Sequence, residues 1–162
     1  MKRVASALLL LLLLAGGRAT AGPTEEEKIE AVIAAVIEAY RAGDYTAMGQ
    51  YYATEVSMVP GDYNPPVVGW SEAEARYRQT HATLGGIELL RENTRITRRG
   101  NFAWAVYQWR FAAMMGREGV AALGHTTLLL EKRRGRWVIV HNHTSALVPS
   151  RPPEKPPGPP SP

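Results

Sequence analysis

The last predicted strand, residues 136–147, constrains the fold more than any other stretch of the chain. Apolar and polar side chains alternate along it with a period of two, which is the pattern of a β-strand. The two predicted faces carry Trp137, Ile139, His141, His143 and Ser145 on one side, and Val138, Val140, Asn142 and Thr144 on the other. Because neither face carries a formal charge, we expect both to be covered, one by helices and the other by a partner subunit.

A short turn connects this strand to the apolar run before it. Residues 133–135 read Arg-Arg-Gly, and a three-residue loop that contains glycine commonly closes a β-hairpin. If Lys132 pairs with Arg136, the predicted partners are His125 with His143, Thr127 with His141, Leu129 with Ile139, and Glu131 with Trp137. Three of the four histidines would then share one sheet face, with the Cβ atoms of His125 and His143 about 5 Å apart. A slip of one residue in the loop would break this arrangement.

The amino terminus has the pattern of a secretory signal peptide. Lys2 and Arg3 precede the apolar run from Val4 to Ala15, and the small residues 19–21 follow it. The run is too short to span a bilayer comfortably. We therefore expect cleavage after Ala21, which would leave a secreted or periplasmic protein without a stable membrane anchor.

Removal of this leader changes the charge balance. The 19 basic residues lose three, which leaves 16 against 15 acidic residues and a net charge of +1. This balance offers no surface of one sign, so nucleic-acid binding is not expected. The chain has no cysteine, which excludes disulfides, thiolate ligands, a cysteine nucleophile and a lipoprotein anchor.

Residues 22–148 are predicted to form one domain, followed by a disordered Pro-rich tail over 149–162. Thr24 and Glu27 have the spacing of a capping box, and apolar residues then recur every three or four positions. The helices are expected over residues 25–42, 44–52 and 71–84.

Beyond Gly85-Gly86 the period changes from helical to alternating. The alternation predicts four strands in meander order, and a further short strand is expected over residues 55–59. The four strands are expected over 87–97, 101–114, 120–132 and 136–147. Helices followed by such strands indicate an α+β fold, with helices on one face of a curved antiparallel sheet.

The chain resembles the SnoaL-like branch of the nuclear transport factor 2-like superfamily. The resemblance rests on Val32-Ile33, on Tyr40 to Asp44 and on Gly135 to Ser145, and it covers about Thr24 to Val148. The ending is similar to that of the calcium/calmodulin-dependent protein kinase II association (hub) domain. This resemblance implies a cone-shaped domain with a pocket between sheet and helices, and usually a dimer through the other sheet face. Superfamily members range from isomerases and cyclases to binding and assembly modules.

Arg110 is the first candidate for ligand binding. It follows Phe102, Trp104 and Val106 on one predicted strand face, and a cation at the end of an apolar stripe needs an anion or water. The resemblance implies that Arg110 is a cavity arginine that could hold a carboxylate, whereas the hub domain's second cavity arginine falls at Leu128. The alternative is that Arg110 lies in solvent or pairs with Glu118.

Several aromatic residues are further candidates, although they could equally be ordinary core and rim residues. The candidates for the pocket are Tyr51, Tyr63, Trp70, Trp104 and His81. Ketosteroid isomerases of the superfamily have a catalytic carboxylate where this chain reads Ser57 to Pro60. Asp62 is at least two positions too late, so that mechanism is not carried over.

The cluster of His125, His141 and His143 has three interpretations. Three imidazoles on one face could bind a transition metal such as Zn²⁺. One imidazole, of His141 or His143, could instead serve as a general base. The histidines could also make hydrogen bonds in the core or across a dimer interface, which the flanking Trp137 and Ile139 favour.

Three functions remain open from the sequence. The leading hypothesis is an exported domain that binds a small apolar, carboxylate-bearing ligand, needs no cofactor and forms a homodimer. The second is an isomerase, cyclase or hydrolase that uses a pocket histidine with Arg110 as electrophile. The third is an oligomerisation module.

Overall fold

The structure is a computed structural model that describes residues 22–62 and 64–147. The expected signal peptide, the Pro-rich tail and Tyr63 lie outside the described residues. The elements in chain order are α1 (Glu25–Ala42), α2 (Tyr45–Gly49), β1 (Tyr52–Val59), β2 (Val67–Val68), α3 (Trp70–His81), β3 (Gly85–Arg99), β4 (Phe102–Met115), β5 (Glu118–Arg133) and β6 (Arg136–Leu147). Within the described ranges, no helix combines the length and apolar character needed to cross a membrane.

Helix α1 begins and ends as its sequence predicts. The Thr24 hydroxyl accepts a hydrogen bond from the Glu27 N–H, and the Glu27 carboxylate accepts one from the Thr24 N–H. Gly43 ends the helix in the left-handed conformation, with φ of 69°. Ile29 and Ile33 have no exposed surface, so the apolar stripe of α1 packs fully against the sheet.

The sheet has six strands in the order β2-β1-β6-β5-β4-β3. The predicted meander of β3 to β6 and the α+β class are confirmed. The sheet is mixed rather than wholly antiparallel, because β1 pairs parallel with β6. The periodicity of β1 shows a strand but does not reveal its partner, which is distant in the chain.

Strands β5 and β6 pair antiparallel as predicted, but the predicted residue register between them is wrong. The turn has two residues, Arg134 and Gly135, both with positive φ, and Arg133 pairs with Arg136. A two-residue turn of this kind matches the twist of a hairpin better than the longer loop we predicted. The actual partners are His125 with Ser145, Thr127 with His143, and Leu129 with His141.

A β-bulge at Val140 changes the faces of β6. Leu129 pairs with His141 but Leu130 pairs with Ile139, so one extra residue lies in β6. Trp137 and Ile139 are buried in the core, and beyond the bulge Asn142 continues that inner face while His141 and His143 lie on the opposite face. The prediction that Trp137, Ile139 and the histidines share one face is therefore wrong, because the bulge shifts the alternation by one residue.

The helices and the sheet enclose one core on the inner sheet face. The largest side chains with no exposure are Ile29, Ile33, Val56, Leu128, Leu130 and Ile139. The opposite, outer face carries exposed apolar side chains on β4 and β5, including Phe102, Trp104, Val106, Leu123 and Leu129.

Candidate functional site

A cavity of about 960 Å³ lies between the inner sheet face and the helices. Its walls come from α1, α3, the loop after β1 and the inner faces of β4, β5 and β6. Protein pockets that hold small organic ligands have volumes of roughly 300–1,000 Å³. The cavity is therefore large enough for a ligand of drug-like size.

The closed end of the cavity carries a chain of uncharged polar groups. Asn142 Nδ2 donates to the Tyr52 hydroxyl at 3.1 Å, and Asn142 Oδ1 accepts from Thr144 Oγ1 at 3.2 Å. The Thr144 and Thr126 hydroxyls are 3.1 Å apart, and Thr126 lies opposite Tyr107 in the pairing of β5 with β4. Tyr52, Asn142 and Thr126 are buried and Thr144 is half-buried, so their hydrogen bonds to one another compensate for the loss of water.

The tyrosines that line the cavity stay protonated at neutral pH. Burial raises the pKa of Tyr107 to about 12, and it raises the pKa of Tyr52 and of Tyr77 well above the usual range. A protonated phenol donates or accepts a hydrogen bond but does not act as a base. The inner end of the cavity is thus suited to a neutral polar group, such as a carbonyl or a hydroxyl.

Trp109 forms part of the cavity wall on β4. Its ring lies directly over Gly124 of β5, where a Cβ atom would be 2.6 Å from Trp109 Cζ2. The indole N–H is buried and has no hydrogen-bond acceptor among the described residues. The absence of a side chain at Gly124 thus leaves room for the Trp109 ring.

The open end of the cavity carries its charged groups. Helix α3 presents Ala73, Arg76, Tyr77 and Thr80 to the cavity, at the spacing of one helix face. The guanidinium of Arg76 donates to the carbonyl of Pro65 at 3.3 Å. Asp62, on the loop after β1, also lines the opening.

Arg110 does not lie in the cavity, which corrects the expectation drawn from the resemblance. Its side chain is 65% exposed on the outer sheet face and pairs with Glu92, with 3.0 Å between Arg110 Nε and Glu92 Oε1. The inner face of β4 is formed instead by the alternate residues Tyr107, Trp109 and Phe111. Trp104 shares the outer face with Arg110, so neither residue contacts a molecule in the cavity.

The other aromatic candidates lie around the cavity rather than in its wall. Tyr51 borders a separate small recess beside Trp137. Trp70 stacks on Tyr52, with 4.8 Å between ring centroids. It therefore packs against a residue of the cavity wall without lining the cavity itself. His81 Nδ1 is 2.5 Å from the Tyr45 hydroxyl and belongs to the packing between helices.

The three strand histidines lie on the outer sheet face. His141 Nδ1 is 2.7 Å from the Ser57 hydroxyl, and His125 Nε2 is 3.3 Å from Gln108 Nε2. His143 is exposed and pairs with Thr127. Within residues 22–62 and 64–147, no three His, Asp or Glu side chains form a group that could hold a metal ion.

Sequence analysis missed the residues that give the cavity its chemistry. Arg76 carried a signal, because it lies three residues after Ala73 and four before Thr80, on one helix face. Asn142 carried a misleading signal, since simple alternation in β6 places it opposite Ile139. The bulge that reverses this placement has no mark in the sequence.

Comparison with known proteins agrees with this architecture. A family model described as a SnoaL-like domain matches residues 29–149. No curated protein sequence matches the chain significantly.

Solved structures with similar folds come from several bacteria. A ketosteroid isomerase-like protein from Erwinia carotovora atroseptica is 21% identical with a TM-score of 0.66, over 75% of this chain and 95% of that one. A provisionally assigned calcium/calmodulin dependent protein kinase II association domain from Xanthomonas campestris is 17% identical with a TM-score of 0.68, over 80% and 91%. An NTF-2 like protein of unknown function from Shewanella oneidensis is 24% identical with a TM-score of 0.58, over 75% and 99%.

At these identities the structural matches establish the shared NTF2-like fold, whereas the family model spans most of the chain. The fold, the cavity and the sequence match therefore agree on the family of this chain. The chain belongs to the family of SnoaL-like domains.

Proposed function

We propose that this protein binds a small, mostly apolar molecule in the cavity between its helices and its sheet. The observation that carries the proposal is the cavity itself, which is about 960 Å³ in volume and has aromatic walls and uncharged hydrogen-bonding groups at its closed end. The apolar walls favour burial of a ring or chain. The Asn142 amide and the Tyr52 hydroxyl would orient a carbonyl or hydroxyl of the ligand.

Binding is supported better than catalysis by histidine. His141, His143 and Arg110, which the catalytic alternative requires, are separated from the cavity by the sheet. A general base must lie within hydrogen-bond reach of the proton that it removes. Among the described residues that line the cavity there is no histidine, and the buried tyrosines are protonated at neutral pH.

A pair of tryptophan substitutions on β5 tests the proposal. Ala122 lines the cavity, whereas its neighbour Ala121 is exposed and faces the other way. We expect purified wild-type protein to bind the neutral dye Nile red saturably, with an increase in fluorescence. Ala122→Trp should weaken this binding at least about tenfold, because an indole would project into the cavity and clash with a bound ligand.

Ala121→Trp is the matched control, since it adds the same side chain to the adjacent residue outside the cavity. It should bind Nile red as the wild type does. Equal binding by both variants would place the dye elsewhere and contradict the proposal, as would wild-type protein that does not bind the dye at all.

The outer sheet face supports a second role, in homodimer formation. Trp104, Val106 and Leu129 are 38%, 39% and 42% exposed and adjoin one another on β4 and β5. Adjacent exposed apolar side chains of this kind are typical of protein interfaces. The likeness to the Xanthomonas campestris association-domain structure also supports assembly. We therefore propose that two copies pack through this face.

Light scattering coupled to gel filtration tests the dimer. Leu129→Lys should give monomers, because it places a charge in the centre of the apolar face. Val68→Lys should remain dimeric, because Val68 is an exposed apolar residue on the edge strand β2, away from β4 and β5. A monomeric wild type, or a dimeric Leu129→Lys variant, would contradict the arrangement.

Export is proposed from the leader sequence alone. Mass spectrometry of protein expressed from the full sequence in a Gram-negative bacterium should show a mature chain that begins at Gly22. Leu10→Arg should block processing by interrupting the apolar run. Retention of residues 1–21 in the wild-type protein would contradict export with cleavage.

A further inference from the structure

Arg76 brings a positive charge to a cavity that is otherwise mostly apolar. Among the described residues that line the cavity it is the one basic side chain. It is half-buried and lies on the same face of α3 as Ala73 and Tyr77. Its guanidinium therefore stands between the apolar interior and the solvent at the opening.

The charge of Arg76 is not neutralised by a neighbouring acid. Its Nη1 donates to the Pro65 carbonyl at 3.3 Å, and no Asp or Glu oxygen in the described ranges lies within 4.0 Å of its guanidinium. A guanidinium has five N–H donors, so several remain for another acceptor. Six other arginines do form such pairs, namely Arg41 with Glu38, Arg78 with Glu74, Arg91 with Glu30, Arg98 with Glu26, Arg110 with Glu92, and Arg133 with Glu131.

Asp62 is the one acidic residue among the described cavity-lining residues, and its hydrogen bonds are made within its own loop. Asp62 Oδ1 accepts from the backbone N–H of Asn64 at 3.1 Å, and Oδ2 accepts from Asn64 Nδ2 at 2.5 Å. These bonds hold the carboxylate to the loop. Arg76 is thus available to an anion that enters from solution.

We propose that Arg76 selects monocarboxylates, whose apolar body fills the cavity while the carboxylate stays at the opening. The inference rests on the proposed binding function and names the chemical class of ligand. The planar guanidinium matches the two oxygens of a carboxylate. An apolar body would lie against Trp109 and Tyr107, and its far end would reach the neutral polar groups around Asn142.

The test compares a charged probe with its neutral analogue. The probes are dansyl-undecanoic acid and its methyl ester, which differ only in the carboxyl group. The wild-type protein should bind the acid about tenfold more tightly than the ester, as expected for one partly exposed charged hydrogen-bonding pair. Raising the salt concentration should reduce this preference.

Arg76→Gln should bind acid and ester equally, and its binding of the ester shows that the cavity is intact. Arg76→Lys keeps the charge and should retain part of the preference. Arg78→Gln is the control, because Arg78 lies on the same helix, is exposed and pairs with Glu74. It should keep the full preference for the acid.

The outcomes separate the two proposals. Equal binding of acid and ester by the wild type, or an unchanged preference in Arg76→Gln, would overturn the role of Arg76 and leave the binding function standing. Failure of the wild type to bind either probe would overturn the binding function, and the inference with it.

Discussion

Gly124 of β5 provides a sharp test of how the cavity wall is built. The residue is buried and pairs with Trp109 on one side and Ala146 on the other. A Cβ atom at this position would lie 1.9 Å from the Ser145 carbonyl oxygen and 2.6 Å from Trp109 Cζ2. Because normal contacts begin near 3.4 Å, strand β6 would have to move by about 1.5 Å, which a close-packed interior resists.

The cost of Gly124→Ala follows from this displacement. Overpacking a well-packed core costs about 1–3 kcal/mol, and the upper value applies because backbone must move rather than a flexible side chain. The smaller entropy of the unfolded alanine chain offsets about 0.5–1 kcal/mol. We therefore expect a net loss of about 2–2.5 kcal/mol in the free energy of unfolding.

Urea unfolding followed by circular dichroism measures this loss. With a slope of about 2 kcal/mol per molar urea, the midpoint should fall by about 1 M. Gly119→Ala is the control, since Gly119 lies on the same strand and no atom is within 4 Å of its added Cβ. If the midpoints of the two variants agreed within about 0.2 M, the close approach of β6 and Trp109 to Gly124 would be refuted.

Three further predictions concern pH and packing. Burial raises the pKa of Tyr107 to about 12, so its contribution to stability is present below pH 10 and is lost as the pH rises through 12. Tyr107→Phe should reduce the loss of unfolding free energy between these two pH values, measured by urea unfolding, by roughly 2 kcal/mol. An unchanged loss would contradict the assignment. A hydrogen bond from Lys132 is the largest of the effects that lower the pKa of Glu25 to about 2. The stability that the Glu25 carboxylate contributes to the fold is therefore present above pH 4.5 and is lost as the pH falls through 2. Glu25→Gln should therefore lose less thermal stability than the wild type between pH 4.5 and pH 2, and equal losses would argue against this pair. Gly49→Ala would place a Cβ atom 2.4 Å from Nε1 of Trp70. We expect the free energy of unfolding to fall by about 1–2 kcal/mol and the tryptophan fluorescence to change. Unchanged unfolding and emission would show that the contact between Gly49 and Trp70 is looser.

Local patterns predicted most of the fold. The capping box of Thr24 and Glu27, the apolar stripe of α1 and the alternation of β3 to β6 each depend on residues a few positions apart. Such signals are visible in one sequence because they report the local period of the backbone. The order of the meander follows from the short turns between consecutive strands.

The sequence did not reveal which face of β4 lines the cavity. Alternation correctly grouped Trp104, Val106 and Arg110, but the group faces outward. Ala103 and Ala105 are buried on the inner face, where small side chains let the helices approach the sheet. Large apolar residues lie on both faces of this strand, because Tyr107, Trp109 and Phe111 form its inner face and Phe102, Trp104 and Val106 its outer face. Only the packing of helices against the sheet decides between the two.

The bulge at Val140 determines which chemistry each side of the sheet receives. Without the extra residue, the face that buries Trp137 and Ile139 would continue through His141 and His143, and imidazoles would enter the cavity. With it, the inner face continues through Asn142, so the cavity receives an amide and the histidines go to the outer face. The uncharged character of the closed end of the cavity, on which the binding proposal depends, therefore follows from one inserted residue. The same insertion leaves the imidazoles of His141 and His143 on the outer face, beside the apolar surface proposed to join two copies.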